Sequence, residues 1–453
     1  MTALRLSDVA PAIGARHVGA DARFERVSSD TRTLRHDDLF VALRGEHFDG
    51  HDYLPEAANA GACGALVERD MAVELPLLVV DDSRLGLGRL ARHWRERHSA
   101  RLVAITGSNG KTTVKEMLAA ILAHAGEVLA TQGNLNNDIG VPLTLLRLDG
   151  RHRFAVVEMG ANHPGEIAYL TSLAQPDVAV ITNAGPAHLE GFGSIDGVAR
   201  AKGEIYAGLR PGGVAVVNAD DPRAPVWYAL TAGRTVLRFG LDADCEVRGH
   251  WKAQDSGARL VMHTPAGEVE VRLPLPGRHN GLNALAATAA ALGLDVPLPA
   301  IKAGLESLTP VKGRLQLHHG GDGLAVLDDT YNANPASLAA ALRVLMARPG
   351  ARWVVLGDML ELGDDAAALH AQAGRECRDA GVERLFTVGP LSAAAAEAFG
   401  AGAAHFEDWQ VLVDVLRDQW RGRTGTVLVK GSRSMHLEQV VSALLADPGA
   451  GER

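Results

Sequence analysis

Cysteine is scarce in this 453-residue chain: Cys63, Cys245 and Cys377 stand far apart, and no CxxC pair occurs. That excludes a disulfide framework and gives no support to a structural zinc site, both of which need paired or closely spaced thiols. A reducing compartment fits. Surplus positive charge is also missing. The net charge is −9, so no basic face is expected for a phosphate backbone, and no nucleic-acid partner follows. No apolar run approaches the roughly 18 residues of a membrane span, and Met1 to Asp8 carries none of the apolar character of a secretory leader. A cytoplasmic protein without stable membrane insertion is therefore expected, with a monomer as the expected state.

What is present is globular. Hydrophobic residues make up 47% and charged residues 22%, enough to build separate cores in roughly two to four domains. Residues 1–83 hold short strand-like pieces at 39–43 and 77–80 and an Ala-rich helix near 55–62, and a helical pattern over 85–98 reads as a link. From 84 to 313 apolar strands at 102–106, 154–158, 178–182 and 214–218 alternate with helices at 111–124, 164–174 and 194–209. That rhythm predicts a mainly parallel sheet covered on both faces. Short alternating strands over 235–275 read as an antiparallel appendage. From 314 to 453 the rhythm restarts with strands at 325–328, 353–356, 384–388 and 426–430. The predicted fold class is α/β in three domains: a small N-terminal α/β domain, a central P-loop-type parallel-sheet domain and a C-terminal Rossmann-like domain.

The strongest local signal is Thr106-Gly-Ser-Asn-Gly-Lys-Thr-Thr113. It follows a buried-strand run and opens an amphipathic helix, so backbone N–H groups and the helix dipole converge on an anion. Thr106, Gly107, Ser108, Asn109, Gly110, Lys111, Thr112 and Thr113 are the expected nucleotide cradle, with Lys111 at the β/γ-phosphates and Thr112 on Mg²⁺. Where the general phosphate-loop pattern has its first glycine this chain has Ile105, so the loop is a shortened variant. Alone it says nucleotide, not reaction.

Downstream, Glu158-Met-Gly-Ala, Thr182-Asn-Ala-Gly-Pro-Ala-His188-Leu-Glu, Ala201-Lys-Gly-Glu204 and Gly277-Arg-His-Asn-Gly-Leu-Asn283 follow in this order. The series resembles the Mur ligase family, from Ser28 to Val440. Three further runs, Gly133-Asn-Leu-Asn-Asn-Asp-Ile-Gly-Val-Pro142, Asp328-Asp-Thr-Tyr-Asn-Ala-Asn-Pro335 and Leu356-Gly-Asp-Met-Leu-Glu-Leu-Gly363, look like the member acting last in the precursor pathway. The Asp-Asn-Pro-Arg run usual in the tripeptide-forming relative does not occur. The resemblance implies an ATP-dependent ligase that joins D-alanyl-D-alanine to UDP-N-acetylmuramoyl-tripeptide through an acyl phosphate, for peptidoglycan synthesis.

It also implies roles. Glu158, at a strand end, and His188, after the next one, would bind Mg²⁺ with Thr112, with two ions expected in a single crevice. Lys202 would be carbamylated, turning an ammonium into an anionic metal ligand, whereas by residue type alone it reads as a solvated helix lysine. Asn280 and Asn283 share a helix face, with Asn280 at the adenine and a helix cap as its plain structural alternative. Arg314 would cover the γ-phosphate, Asp329 the ribose, and Tyr331 would lie near it. The N-terminal residues Ser29, Thr31, Arg32, Asp49 and His51 would hold the uridine nucleotide. Asn134, Asn137, Asp138, Asn332 and Asn334 complete the expected substrate contacts, although turn roles for Asn332 and Asn334 remain open. The run Lys430-Gly-Ser-Arg-Ser434 reads either as an anion site or as a strand end.

Overall fold

A computed structural model describes residues 3–186, 189–254 and 257–446. Three sheets organise it. The first has five strands in the order Arg16–Val18, Leu77–Val79, Gly64–Val67, Asp38–Val41 and Arg26–Ser28, parallel except for the first pair. The second has nine strands, and from its centre to one edge it runs Val214–Asn218, Val178–Ile181, Arg101–Thr106, Phe154–Glu158 and Val128–Ala130, all parallel. The third has six, with Leu324–Asp329, Gly425–Lys430, Ala351–Gly357, Arg384–Val388 and Ala403–Phe406 parallel and Gln316–His319 antiparallel at the edge.

The middle strands of the nine-stranded sheet are continuous apolar runs because helices cover both faces. Val103 and Ile105 face one core, Leu102 and Ala104 the other, and all four are fully buried. The segment expected to stand apart as an appendage does not. Thr235–Gly240 and Val247–Gln254 extend the parallel sheet, and Gly257–Thr264 and Gly267–Leu273 add antiparallel strands at the same edge. The helix expected over 194–209 ends earlier, as Ile195–Gly203 followed by a short 3-10 turn, Glu204–Tyr206.

The helical pattern read as a link forms Ser83–Glu96, N-capped by Asp82, which accepts a bond from Leu85 N at 2.9 Å. It is packed on both sides rather than strung between units. Leu87, Leu90, Ala91 and Trp94 are buried in one apolar core that runs from Leu6 and Val9 of the first unit to Leu145 and Leu170 of the second. Trp94 also donates through Nε1 to Leu148 O at 2.9 Å. Trp94→Ala should therefore cost about 3–5 kcal/mol, read as a lowered denaturation midpoint in urea. A cost below about 1 kcal/mol would mean that this helix does not join the two cores.

Candidate functional site

The C-terminal ends of the parallel strands of the second sheet meet those of the third across a cleft of about 1360 Å³. Thr106, Glu158 and Ile181 end three adjacent strands on one side, and Asp329 and Lys430 end two on the other. Open α/β sheets bind ligands at such strand ends, where the crossovers diverge.

On the first side the chain turns through Gly107 (φ +148°) and Gly110 (φ +84°) into the helix Lys111–Ala123. A Cβ on Gly107 would lie 1.8 Å from Thr182 Oγ1, and one on Gly110 would lie 2.5 Å from Asn283 Oδ1, so both positions require glycine. The helix has no side-chain cap, which leaves its first N–H groups for a ligand. Neighbouring backbone fixes the loop: Ser108 N donates to Asn183 O, Asn109 N to Asn183 Oδ1 and Thr182 Oγ1 to Asn109 O, at 3.0, 3.0 and 2.6 Å. Lys111, half-buried, folds back so that Nζ donates to Gly107 O at 2.8 Å. Burial pushes its ammonium below the ordinary lysine value, with Glu158 opposing and Arg314 reinforcing that shift.

Behind the loop sits a chain of polar contacts. Glu158, buried, accepts from Thr112 Oγ1 at 2.9 Å and from Asn136 Nδ2 at 3.0 Å. Its backbone N–H donates to Thr131 Oγ1 at 3.0 Å, and the buried Lys115 donates to Thr131 O at 2.9 Å. The side chain of Glu158 is thus held facing Thr112. Oxygen donors of this kind suit a hard cation, although among the described residues no group of three or more His, Cys, Asp or Glu side chains is arranged to hold a metal.

The third unit closes over this floor. Arg314 Nη2 donates to Thr112 Oγ1 at 2.9 Å, its guanidinium carbon lies 4.1 Å from the Tyr331 ring centroid, and its buried Nε has no partner among the described residues. Asn334 Nδ2 reaches Asn109 Oδ1 at 2.9 Å while its Oδ1 accepts from Ser337 N as the cap of Pro335–Met346. The structural role read for Asn334 is thus present, and its side chain also reaches the phosphate loop. Asn332 lines the cleft too, its carbonyl accepting from Lys430 Nζ at 2.8 Å.

Of the expected nucleotide residues, Ser108 to Thr113, Asn280, Asn283, Arg314, Asp329 and Tyr331 line the cleft, as do Asn134, Asn137 and Asp138. Thr106 lies behind it, fully buried, its hydroxyl donating to Met159 O at 2.8 Å. Asn280 does not cap its helix: Gly277 is the cap residue, and Asn280 bonds Pro276 O and Asn283. Lys202 is buried outside the cleft lining, with Nζ 5.8 Å from the Phe192 ring centroid. Burial, then Lys111, push its ammonium well below the ordinary value. His188 lies outside the described residues.

The residues Ser29, Thr31, Arg32, Asp49 and His51 are not brought into this cleft. They follow the C-terminal ends of the parallel strands Arg26–Ser28 and Asp38–Val41 in the first sheet. His51 is fully buried with both ring nitrogens engaged: Nδ1 meets Asp49 Oδ1 at 2.5 Å, and Nε2 accepts from Glu68 N at 2.9 Å. A ligand would meet its neighbours, not its ring. Partial burial opposes ionisation of Asp49, but the His51 N–H groups and Arg69 hold its carboxyl well below the usual range.

Two site residues, Asn136 and Arg84, escaped the sequence reading, and a third, Lys430, was read without its partner. Asn136 lies within a run singled out for its asparagines, but only the structure shows which of them reaches Glu158. Arg84 bridges units by donating to Asp138 Oδ2 at 3.2 Å and to Arg44 O at 3.1 Å. Lys430, read as part of an anion site, is buried and bonds Asp329 Oδ2 at 2.5 Å. No local pattern signals either partnership.

Three family models match successive parts of the chain: Mur ligase family, catalytic domain, over residues 23–95; Mur ligase middle domain over 105–291; and Mur ligase, glutamate ligase domain, over 313–433. The chain is also 46% identical to the UDP-N-acetylmuramoyl-tripeptide–D-alanyl-D-alanine ligase of Escherichia coli (strain K12), with 98% of this chain and 99% of that one covered. It belongs to the Mur ligase family. The namesake ligase of Bacillus subtilis (strain 168) is 34% identical, with 93% of each covered. Among solved structures, this Mur ligase superposes on MurF from Acinetobacter baumannii with a TM-score of 0.94 at 37% identity, covering 98% of this chain and 99% of that one. The MurF ligase of Thermotoga maritima in complex with ADP gives a TM-score of 0.84 at 30% identity, with 92% and 96% covered. The three-unit α/β architecture of this Mur ligase is the one expected from its strand rhythm.

Proposed function

We infer that this Mur ligase joins D-alanyl-D-alanine to UDP-N-acetylmuramoyl-tripeptide at the expense of ATP, releasing ADP and phosphate. The observation that carries the reading is the meeting of an uncapped helix N-terminus and Lys111 with Arg314 and Asn334 of the third unit across one cleft. Phosphate charge on ATP falls between Lys111 and Arg314. The terminal carboxylate of the tripeptide attacks the γ-phosphorus, giving ADP and an acyl phosphate. The dipeptide amine then attacks the acyl carbon, and the tetrahedral intermediate expels phosphate as the amide forms. Two cations flanking the transferred group stabilise charge that is greatest in the transition state, and the closed cleft lines up the reactants.

The buried carboxylate of Glu158 and the Thr112 hydroxyl fit Mg²⁺, and His188 belongs to the same proposed set, sufficient for two ions. When bound, Mg²⁺ neutralises phosphate charge. Lys202 fits carbamylation: burial and then the charge of Lys111 favour its neutral amine, the nucleophile that CO₂ needs, and the product is an anion bearing oxygen ligands. Asp329, Tyr331, Asn280 and Asn283 serve the nucleoside. Ser29, Thr31, Arg32 and Asp49 serve the uridine end, with His51 fixing Asp49. The division of labour follows the units: 1–83 for the precursor, 84–313 for ATP and 314–453 for the dipeptide. No described helix is long and apolar enough to cross a membrane. We place the enzyme in the cytoplasm as a monomer acting on small molecules.

The test is selectivity for the amine. A pocket built for a dipeptide presents groups to its amide and distal carboxylate, and D-alanine alone leaves them unsatisfied at about 1–3 kcal/mol each. D-alanyl-D-alanine should exceed D-alanine in kcat/KM by about a hundredfold or more. Efficient use of diaminopimelate or L-lysine with a UDP-dipeptide would instead place the enzyme at the preceding step.

A further inference from the structure

We propose that Asn334 and Asn109 form a latch that seats the third unit on the phosphate loop and so keeps Arg314 in register with it. Asn334 is then a positioning residue that acts through Arg314. The proposal rests on the ligase reading above and names what aligns the two sides of its cleft.

On the loop, Ser108 and Asn109 are the two residues with side chains between Gly107 and Gly110. Ser108 Oγ is turned inward, donating to Gly185 O at 3.1 Å and accepting from Gly185 N at 2.9 Å. The backbone of Asn109 is also tied within the second unit. Its N–H donates to Asn183 Oδ1, and its carbonyl accepts from Thr182 Oγ1 and Asn183 Nδ2. Its side chain faces the third unit instead, where Oδ1 accepts from Asn334 Nδ2 at 2.9 Å.

On the other side, helix capping does not by itself call for asparagine. Asn334 Oδ1 accepts from Ser337 N at 2.9 Å, and Asn334 N donates to Ser337 Oγ at 3.0 Å, closing a capping box. Serine or aspartate would cap as well, but neither carries an amide donor beside the capping oxygen. Because the Ser337 N–H must meet an oxygen, the Asn334 amide has one orientation, and Nδ2 is left to Asn109. The residue is buried, where a donor without a partner is costly.

A short, braced path joins the latch to Arg314. Tyr331 N donates to Gly313 O at 3.0 Å, and the Tyr331 ring lies against the Arg314 guanidinium. The buried Lys430 Nζ holds Asp329 Oδ2 and Asn332 O, while Asp329 Oδ1 accepts from Leu315 N at 3.2 Å. Residues 313–315 and 329–334 are thus braced as one piece, and that piece meets the loop twice, at Asn109 and at Thr112. Arg314 must give up Thr112 to meet a phosphate. The latch then keeps the register.

Asn334→Ser keeps the cap and removes the donor. It should lower kcat about 3- to 10-fold, with KM for ATP within about twofold and the thermal unfolding midpoint unchanged. Asn109→Ala leaves the cap untouched and should lose at least as much from the other side. In an Asn109→Ala or an Arg314→Ala background, Asn334→Ser should change kcat by less than about twofold, because its partner or the group it serves is already gone. Unchanged kcat for Asn334→Ser alone overturns the proposal and leaves the residue a cap. So does an equal loss in all three backgrounds, or a raised ATP KM at constant kcat, which would assign the pair to nucleotide binding alone. Wild-type enzyme that does not turn over the dipeptide would overturn the ligase reading itself, and this proposal with it.

Discussion

Lys111→Ala should lower kcat by about 100- to 1000-fold while leaving the fold intact. The lysine stands at the first position of an uncapped helix, half-buried, and its Nζ donates to its own loop at Gly107 O. Removing it opens no core cavity, since the apolar face of that helix is formed by Val114, Met117, Leu118, Ile121 and Leu122. What is lost is a cation at the developing phosphate charge, and deletion of one such preorganised group costs about 2.7–4 kcal/mol. Steady-state kinetics beside a thermal unfolding curve separates the two effects. Near-normal turnover in a folded variant would remove Lys111 from the chemistry.

Lys202→Ala should be as damaging, for a different reason. A plain ammonium at this position would be buried and within the field of Lys111, and both effects push its proton off. The neutral amine can add CO₂, forming an N–C bond and losing a proton, so a repelled cation becomes an anion. Burial and the Lys111 charge both shift the folded amine toward its neutral form, which is the form that reacts with CO₂. Adding acetate or formate should restore part of the activity of Lys202→Ala by supplying the missing anion. In wild type, ¹³CO₂ should give a carbamate carbonyl resonance that Lys202→Ala lacks. Fully active enzyme with no such resonance would rule the carbamate out.

Much of the fold was legible because its strands are continuous apolar runs. Phe154–Glu158, Val214–Asn218 and Arg384–Val388 stand where the sequence placed them. The short strand Val128–Ala130 and the edge strand Gln316–His319 escaped, being too brief or too polar to give a period. The antiparallel strands after Val247 were visible, but not their continuity with the main sheet, which depends on the pairing of Phe239 with Val247. In the site, the phosphate loop was legible because glycines, lysine and helix are consecutive. Arg314 could be expected at the nucleotide, and Asn334 among the substrate contacts, only by resemblance, since their partners Thr112 and Asn109 lie more than two hundred residues away. His51 shows the opposite limit. Its motif was legible, yet a histidine buried between Asp49 and Glu68 N looks no different in sequence from one that meets a ligand.

The most direct test of the ligase reading is phosphate release from ATP by the purified enzyme, with UDP-N-acetylmuramoyl-tripeptide and D-alanyl-D-alanine supplied singly and together. The expected result is sustained release only when both are present, one phosphate per UDP-N-acetylmuramoyl-pentapeptide identified by mass. Sustained release with either substrate alone, or release with both but no pentapeptide, would contradict it.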